Sequence, residues 1–296
     1  MTDHPEAVTE SRADEALSAV EPGLLDGRRR GADRFLAVAA REYRLMGRSR
    51  WTTGVTLLVA VFTAAVVAMG ASDVGPGRFD AVAASLTELG VYLVPLVALA
   101  FGYDAIVGPA TAGTLELLFA LPIAQRRVVT GIFAGRALAL ASALLLGFLP
   151  GAVLVLLFGA VTDLAIYAVV ALAAVATAIS FLALGVLISA LARGKTHALG
   201  AVLLCWLWFV LLHDLLALGA IAALDLSGTA VGAMVLANPA DCFRVLALSQ
   251  LDIAAGGVGS VLAAADLSVA LVALALAGWT LGSAWLAARL GARRRL

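Results

Sequence analysis

Along this chain, long stretches free of charged side chains alternate with short clusters of arginine and aspartate. Residues 51–72, 137–162, 164–192, 196–213 and 267–288 contain no Asp, Glu, Lys or Arg. Each has roughly the ~17–25 residues that a helix needs to cross hydrocarbon. A sixth run, 89–103, is shorter, but it extends back through Leu86 if Glu88 sits at the membrane interface. Backbone polar groups in lipid have to be satisfied within the segment, so these runs are predicted as helices and not strands. The pattern predicts an all-α polytopic membrane protein with six transmembrane helices.

Composition excludes the soluble alternative. The 296 residues are 62% hydrophobic and 14% charged, and the mean hydropathy is +1.03. A soluble domain has about 50% apolar and ~25% charged residues. The basic residues then give a topology. Arg28, Arg29, Arg30, Arg34, Arg41, Arg44, Arg48 and Arg50 precede the first span; Arg126, Arg127 and Arg136 follow the second; Arg193 and Lys195 follow the fourth; Arg289, Arg293, Arg294 and Arg295 end the chain. The other side holds Arg78 and Arg244 against Asp73, Asp80, Asp163, Asp225, Asp241, Asp252 and Asp266. By the positive-inside rule both termini are cytoplasmic, and six spans place both on one side, as that requires. The expected location is the inner membrane of a bacterial or archaeal cell. The net charge of zero conceals this sidedness, and no nucleic-acid partner is expected.

Residues 1–33 read as a disordered cytoplasmic extension, with Glu6, Glu10, Asp14, Glu15, Glu21 and Asp26 ahead of the arginine triplet. A signal peptide is disfavoured because Arg41 and Glu42 interrupt the apolar stretch after that triplet. Residues 34–50 read as an amphipathic elbow helix. Arg34, Arg41, Arg44 and Arg48 form one stripe, with Phe35, Val38, Ala39, Leu45 and Met46 on another side. Such a helix lies in the headgroup plane and leads into the span that starts at Trp51. Residues 51–290 form the membrane domain, and 291–296 a basic cytoplasmic tail.

No catalytic constellation emerges. Cys205 and Cys242 make neither a disulfide framework nor a CxxC site, and with Met234 and His213 they are too scattered for a copper path. Gly194-Lys195-Thr196 resembles the end of a P-loop, but Ser189 stands where the earlier glycine belongs. No Ser/His/Asp or HExxH pattern includes His4, His197 or His213. Any ATP used here is hydrolysed on another chain. Polar residues in the runs are functional candidates: Glu88 and Asp214, beside His213, toward the outer ends of spans two and five, and Asp104 at the inner end of span two. Glu88 and Asp214 are candidates for a cargo path. Pro95 and Pro150 are read as kinks.

Two connecting segments remain. In the first, Thr114 caps a short helix from Leu115 to Leu121 that Pro122 ends. Leu115, Leu118 and Phe119 form its i, i+3, i+4 apolar face, on the cytoplasmic side. That face is either a docking knob or packs back on the elbow. In the second, the outer region between spans five and six, Asn238-Pro239-Ala240-Asp241 suits a turn feeding a helix N-terminus. The apolar residues around it suggest partial re-entry or partner contact.

At these residues the chain resembles the type-2 ABC transporter permeases. Within that family it is most similar to the permeases that serve maturation of nitrous oxide reductase, a multicopper enzyme. The matching residues are Tyr103-Asp104-Ala105-Ile106-Val107-Gly108, Gly113-Thr114-Leu115 with Leu117-Leu118 and Pro122, and the outer Asn238-Pro239-x-Asp241-x-Phe243-Arg244 string. An elbow with Arg41-Glu42 ahead of Trp51 is also similar. Pro109-Ala110-Thr111-Ala112 stand where the family typically has acidic and basic residues.

The resemblance implies a type-2 ABC permease fold: a six-helix half-permease that forms a homodimer and binds two cytoplasmic ATPase subunits. Those subunits would carry ATP and magnesium, with no cofactor or metal on this chain. Asp104, Gly113, Thr114, Leu115, Leu118, Phe119 and Pro122 would form the coupling region, and Arg193–His197 a second inner contact. Asn238, Pro239, Asp241 and Arg244 would serve contact with a periplasmic accessory protein. The expected cargo is a copper- or sulfur-related species; the alternatives are a permease exporting a lipid or drug, a secondary transporter, or a membrane scaffold.

Overall fold

A helix in hydrocarbon satisfies its own backbone, so side-chain packing and a few polar contacts decide how several helices assemble. The computed structural model describes residues 33–71, 78–115, 124–224, 226–249 and 267–292, with no strand among them. The extension expected over 1–33, apart from Asp33, lies outside the described residues, as does the tail beyond Ala292. An elbow helix covers residues 33–47. The spans that follow are Arg50–Ala71, Arg78–Gly102, Gln125–Phe158, Val161–Leu191, a composite fifth, and Val269–Gly291. The fifth runs from Lys195–Leu207 through a π-helical turn, Trp208–Leu212, into His213–Ala223. Among the described residues, six helices are long and apolar enough to cross a membrane.

The spans differ most from the charge-free runs where a charge is paired inside the protein. Span three begins at Gln125 and carries Arg136 well within it, not at its cytoplasmic edge. Span five does not stop at His213 but continues through Asp214 to Ala223. In both cases the charged group has buried ionic partners, which removes the reason to end the helix there.

Span four is the centre: 72% of its most apolar stretch is buried, against 11% for span five. Spans two and six pack against it, while span one packs on span three. Between spans two and four, Gly102 and Gly185 bring the backbones together, since a Cβ at Gly102 would sit 2.8 Å from Gly185 Cα. Phe181, Phe209 and Trp279 meet edge to face, joining spans four, five and six. Ser180 Oγ lies 2.7 Å from Thr280 Oγ1 and donates to the Leu276 carbonyl. Pro95 and Pro150 lie inside helices, and neighbouring spans supply donors to the turns before them. Trp206 Nε1 donates to the Tyr92 carbonyl, Thr63 to that of Gly147 and Tyr167 to that of Phe148. Membrane helices tolerate proline on those terms.

Between spans five and six, the helices Gly228–Leu236 and Pro239–Leu248 meet at 110°. The Leu236 carbonyl accepts from Trp279, well along span six, whereas Cys242 packs on Val272 near its start. The pair thus enters the bundle, turns at Ala237–Asn238 and comes back toward the same end. This is the partial re-entry that the apolar residues around Asn238 suggested.

Candidate functional site

Two buried polar networks stand out, one at the C-terminal end of span two and one that reaches its middle at Glu88. The first lies at the elbow end. A β-carbon at Gly131 would stand 2.9 Å from Val38 Cγ1, and one at Gly135 would collide with the Ala39 carbonyl. These two glycines of span three make a ledge on which the elbow helix lies. The contact face of the elbow is Phe35, Val38, Ala39, Glu42 and Met46, while Leu45 is 53% exposed. Glu42 therefore enters a dry interface, where a charge is costly unless paired. Arg136, the residue after Gly135, supplies the pair. Its Nε donates to Glu42 Oε1 at 2.9 Å, and its Nη1 to Asp104 Oδ1 and to the Phe101 carbonyl, both at 2.6 Å. Arg41 Nη1 lies 3.7 Å from Glu42 Oε2. Two arginines thus face two carboxylates.

The same network holds the segment that leaves span two. Its helix ends at Gly102, and Ser189 of span four accepts hydrogen bonds at 3.0 Å from the freed Ile106 and Val107 N–H groups. A short helix, Val107–Thr111, follows. Gly113 then turns the chain with φ +70°, a left-handed conformation that glycine adopts without strain. The Thr114 hydroxyl donates to the Pro109 carbonyl. Leu115, expected on an apolar docking face, is fully buried and so anchors the segment. Leu118, Phe119 and Pro122 lie outside the described residues.

The second network lies at the turn of the re-entrant pair. Asn238 caps the Pro239–Leu248 helix by accepting from Ala240 N, as the Asn-Pro-x-Asp order predicted. Its Nδ2 donates to the Phe209 carbonyl at 2.9 Å, inside the π-helical turn of span five, and to Asp241 Oδ2 at 3.0 Å. A π-turn widens the helix and frees such a carbonyl. Arg244, three residues on from Asp241, reaches Asp241 Oδ1 at 2.9 Å and Asp214 Oδ2 at 2.7 Å through Nη1. Its Nε stands 3.6 Å from Glu88 Oε2 on span two. His213 Nδ1 is 3.0 Å from Asn238 Nδ2 and 3.1 Å from Asp241 Oδ2, so its tautomer selects its partner.

His213, Asp214 and Asp241 offer ligand atoms within 4.8 Å of one another, a spread that suits a cation. Arg244 already occupies that role, with one carboxylate oxygen of each aspartate on its Nη1.

The structure thus brings together residues that the sequence left apart. Glu88 and Asp214, expected on a cargo path, converge on Arg244. Asn238, Pro239, Asp241 and Arg244, expected at an outer contact, are all buried. An outer partner would meet the surface they brace, not these side chains. Of the coupling residues, Asp104 joins Arg136, while Gly113 and Thr114 are exposed. Sequence reasoning used Arg136 for topology, Glu42 for the elbow and Ser189 against a P-loop, saw no network among them, and passed over the Gly131–Gly135 ledge. A glutamate in the elbow facing Val38 and Ala39 was the one local sign of the first network.

The family model described as "ABC-2 family transporter protein" matches residues 36–289. A "Probable ABC transporter permease protein NosY" from Pseudomonas aeruginosa is 38% identical over 254 residues, covering 82% of this chain and 92% of the relative. A protein of the same name from Stutzerimonas stutzeri is 34% identical over 270 residues, covering 88% of this chain and 98% of the relative.

Proposed function

The chain belongs to the ABC-2 family of transporter proteins, and from that premise we propose that it is a NosY-type permease subunit serving maturation of a multicopper enzyme such as nitrous oxide reductase. The observation that carries the subfamily is the likeness to two NosY permeases over nearly their whole length. As a multi-pass membrane protein it provides the path, while a separate cytoplasmic ATPase binds and hydrolyses ATP with its magnesium. The elbow end is the cytoplasmic end, which agrees with the arginines gathered there.

Several features support a coupling role for the segment after Asp104. It continues directly from span two, is pinned by Ser189 and anchored by Leu115, and exposes Gly113 and Thr114 on the elbow end. Leu118, Phe119 and Pro122 complete the contact with the ATPase, and Arg193–His197 adds the turn before span five. A second copy of the permease and lipid share the exposed apolar faces of spans one, five and six. Glu88 and Asp214 border the cargo path within the membrane, and a periplasmic accessory protein docks over the re-entrant pair.

Deletion of the gene tests the cargo assignment. The expected result is nitrous oxide reductase that is made and exported but poor in copper. A fully metallated reductase in the deletion strain contradicts it and leaves export of a lipid or drug as the function. Replacing Leu118 and Phe119 together by Asp is expected to abolish co-purification of the ATPase; unchanged assembly sinks the coupling role of that helix.

A further inference from the structure

We propose that Arg136 is a positioning residue that locks the elbow helix to the cytoplasmic end of span two, so that elbow and coupling segment move as one body when ATP closes the partner subunits. This rests on the permease reading above. Arg136 belongs to neither of the parts it joins. It projects from span three, and one guanidinium reaches Glu42 on the elbow, Asp104 beyond the end of span two, and the Phe101 carbonyl in the last turn of that span. A guanidinium is planar, with its donors fixed in a fork, so three acceptors on two elements are held in one mutual geometry. The elbow cannot slide along span three without breaking this set, because the ledge at Gly131 and Gly135 leaves no room beside Val38 and Ala39. Nor can the segment after span two swing alone. The Asp104 carbonyl accepts from Gly108 N, and Ser189 holds the next two N–H groups.

The chemistry favours a joint over simple adhesion. Apolar contacts such as Val38 on Gly131 already glue the elbow down, and a buried ionic set stabilises no better than apolar side chains of the same shape. What charge adds is direction. A push on the exposed Gly113–Thr114 turn reaches Asp104, crosses Arg136 and arrives at Glu42, moving the elbow with it.

The test uses the full chain with its ATPase subunit in lipid nanodiscs, with Cys205 and Cys242 replaced by Ala. Spin labels go on Arg44→Cys in the elbow and Ala112→Cys after span two, both exposed positions. A control pair on Arg193→Cys reads the separation of two permease copies. Distances are compared without nucleotide and with trapped ATP. In the otherwise native protein ATP is expected to shift the control distance and leave the 44–112 distance unchanged. In Glu42→Gln/Arg136→Gln, which removes the charges without stranding one, the 44–112 distance is expected to shift or broaden with ATP. Arg136→Lys should do the same, because an ammonium has no fork to hold both carboxylates. A 44–112 distance that already changes in the native protein, or that stays as tight in both variants, overturns the clamp. If no ATPase binds, or ATP moves no distance at all, the permease reading itself fails.

Discussion

Span two is met near its middle, at Glu88, and again just beyond its C-terminal end, at Asp104, by a buried arginine between carboxylates, and the two sets differ in how the exposed carboxylate is held. In the set around Arg244, the side chains of Arg244, Asp241 and Asp214 are 3%, 5% and 15% exposed, Asn238 is tied into the same set, and Glu88 is 50% exposed. At the elbow end, Arg136 and Glu42 are 7% and 9% exposed, but Asp104 is 37% exposed. The Arg244 set binds the re-entrant pair to span five and reaches Glu88 of span two at 3.6 Å, beyond hydrogen-bond distance. The elbow set binds span two directly. Each set has one exposed carboxylate, but Arg136 holds Asp104 in a 2.6 Å hydrogen bond whereas Glu88 stands off at 3.6 Å. The first set is thus built as a brace, and the second as a joint whose exposed aspartate can exchange its contact with water at low cost.

Removing each arginine should separate the two. Arg244→Ala leaves Asp214 without its ion-pair partner and Asp241 held only by Asn238 and His213 in a dry site, and breaking a buried pair this way costs about 3–5 kcal/mol. Most of the protein is expected to lose its monodisperse peak in fluorescence-detected size-exclusion chromatography. Arg136→Ala leaves one dry carboxylate, Glu42, with Arg41 at 3.7 Å as its remaining cation, while Asp104 takes up water. A loss near the bottom of the same range, about 3 kcal/mol, should lower the detergent melting temperature without abolishing the peak. Equal losses for the two variants would erase the distinction.

Smaller changes sharpen it. Asn238→Ala removes a helix cap, worth about 1–2 kcal/mol, and frees the Phe209 carbonyl. Hydrogen exchange is expected to quicken at Pro239–Leu248 and in the π-helical turn, leaving the elbow unchanged. Faster exchange at the elbow as well would mean that the two sets are coupled. The smallest stability effect belongs to Asp104→Asn, since a partly exposed ion pair contributes only about 0–1 kcal/mol. Its melting temperature should match that of the unaltered protein, while its ATPase activity in the assembled complex falls. A melting temperature as low as that of Arg136→Ala would place Asp104 in a structural role only.

The contrast also explains what was legible in the sequence. The six spans were visible because a bilayer imposes a local rule, and the charge-free runs obey it. The Asn238 cap was visible for the same reason, since the N–H that it accepts from lies two residues away. The networks were hidden because their partners are remote: Arg136 and Glu42 are 94 residues apart, and Arg244 and Asp214 are 30 apart. Without its partner Asp214 reads as the end of a helix, and span five was cut short there. Ser189 read as a missing P-loop glycine, yet it holds two backbone donors of a segment some 80 positions earlier, a count that the 83- and 82-residue separations give.

Native mass spectrometry of the complex extracted from the membrane tests most directly that this chain is a permease worked from its elbow end. The expected species contains two copies of the chain and two of a cytoplasmic ATPase, and it falls apart when Leu118 and Phe119 are both replaced by Asp. A chain that leaves the membrane without any ATPase, or one whose complex is indifferent to those substitutions, contradicts the account.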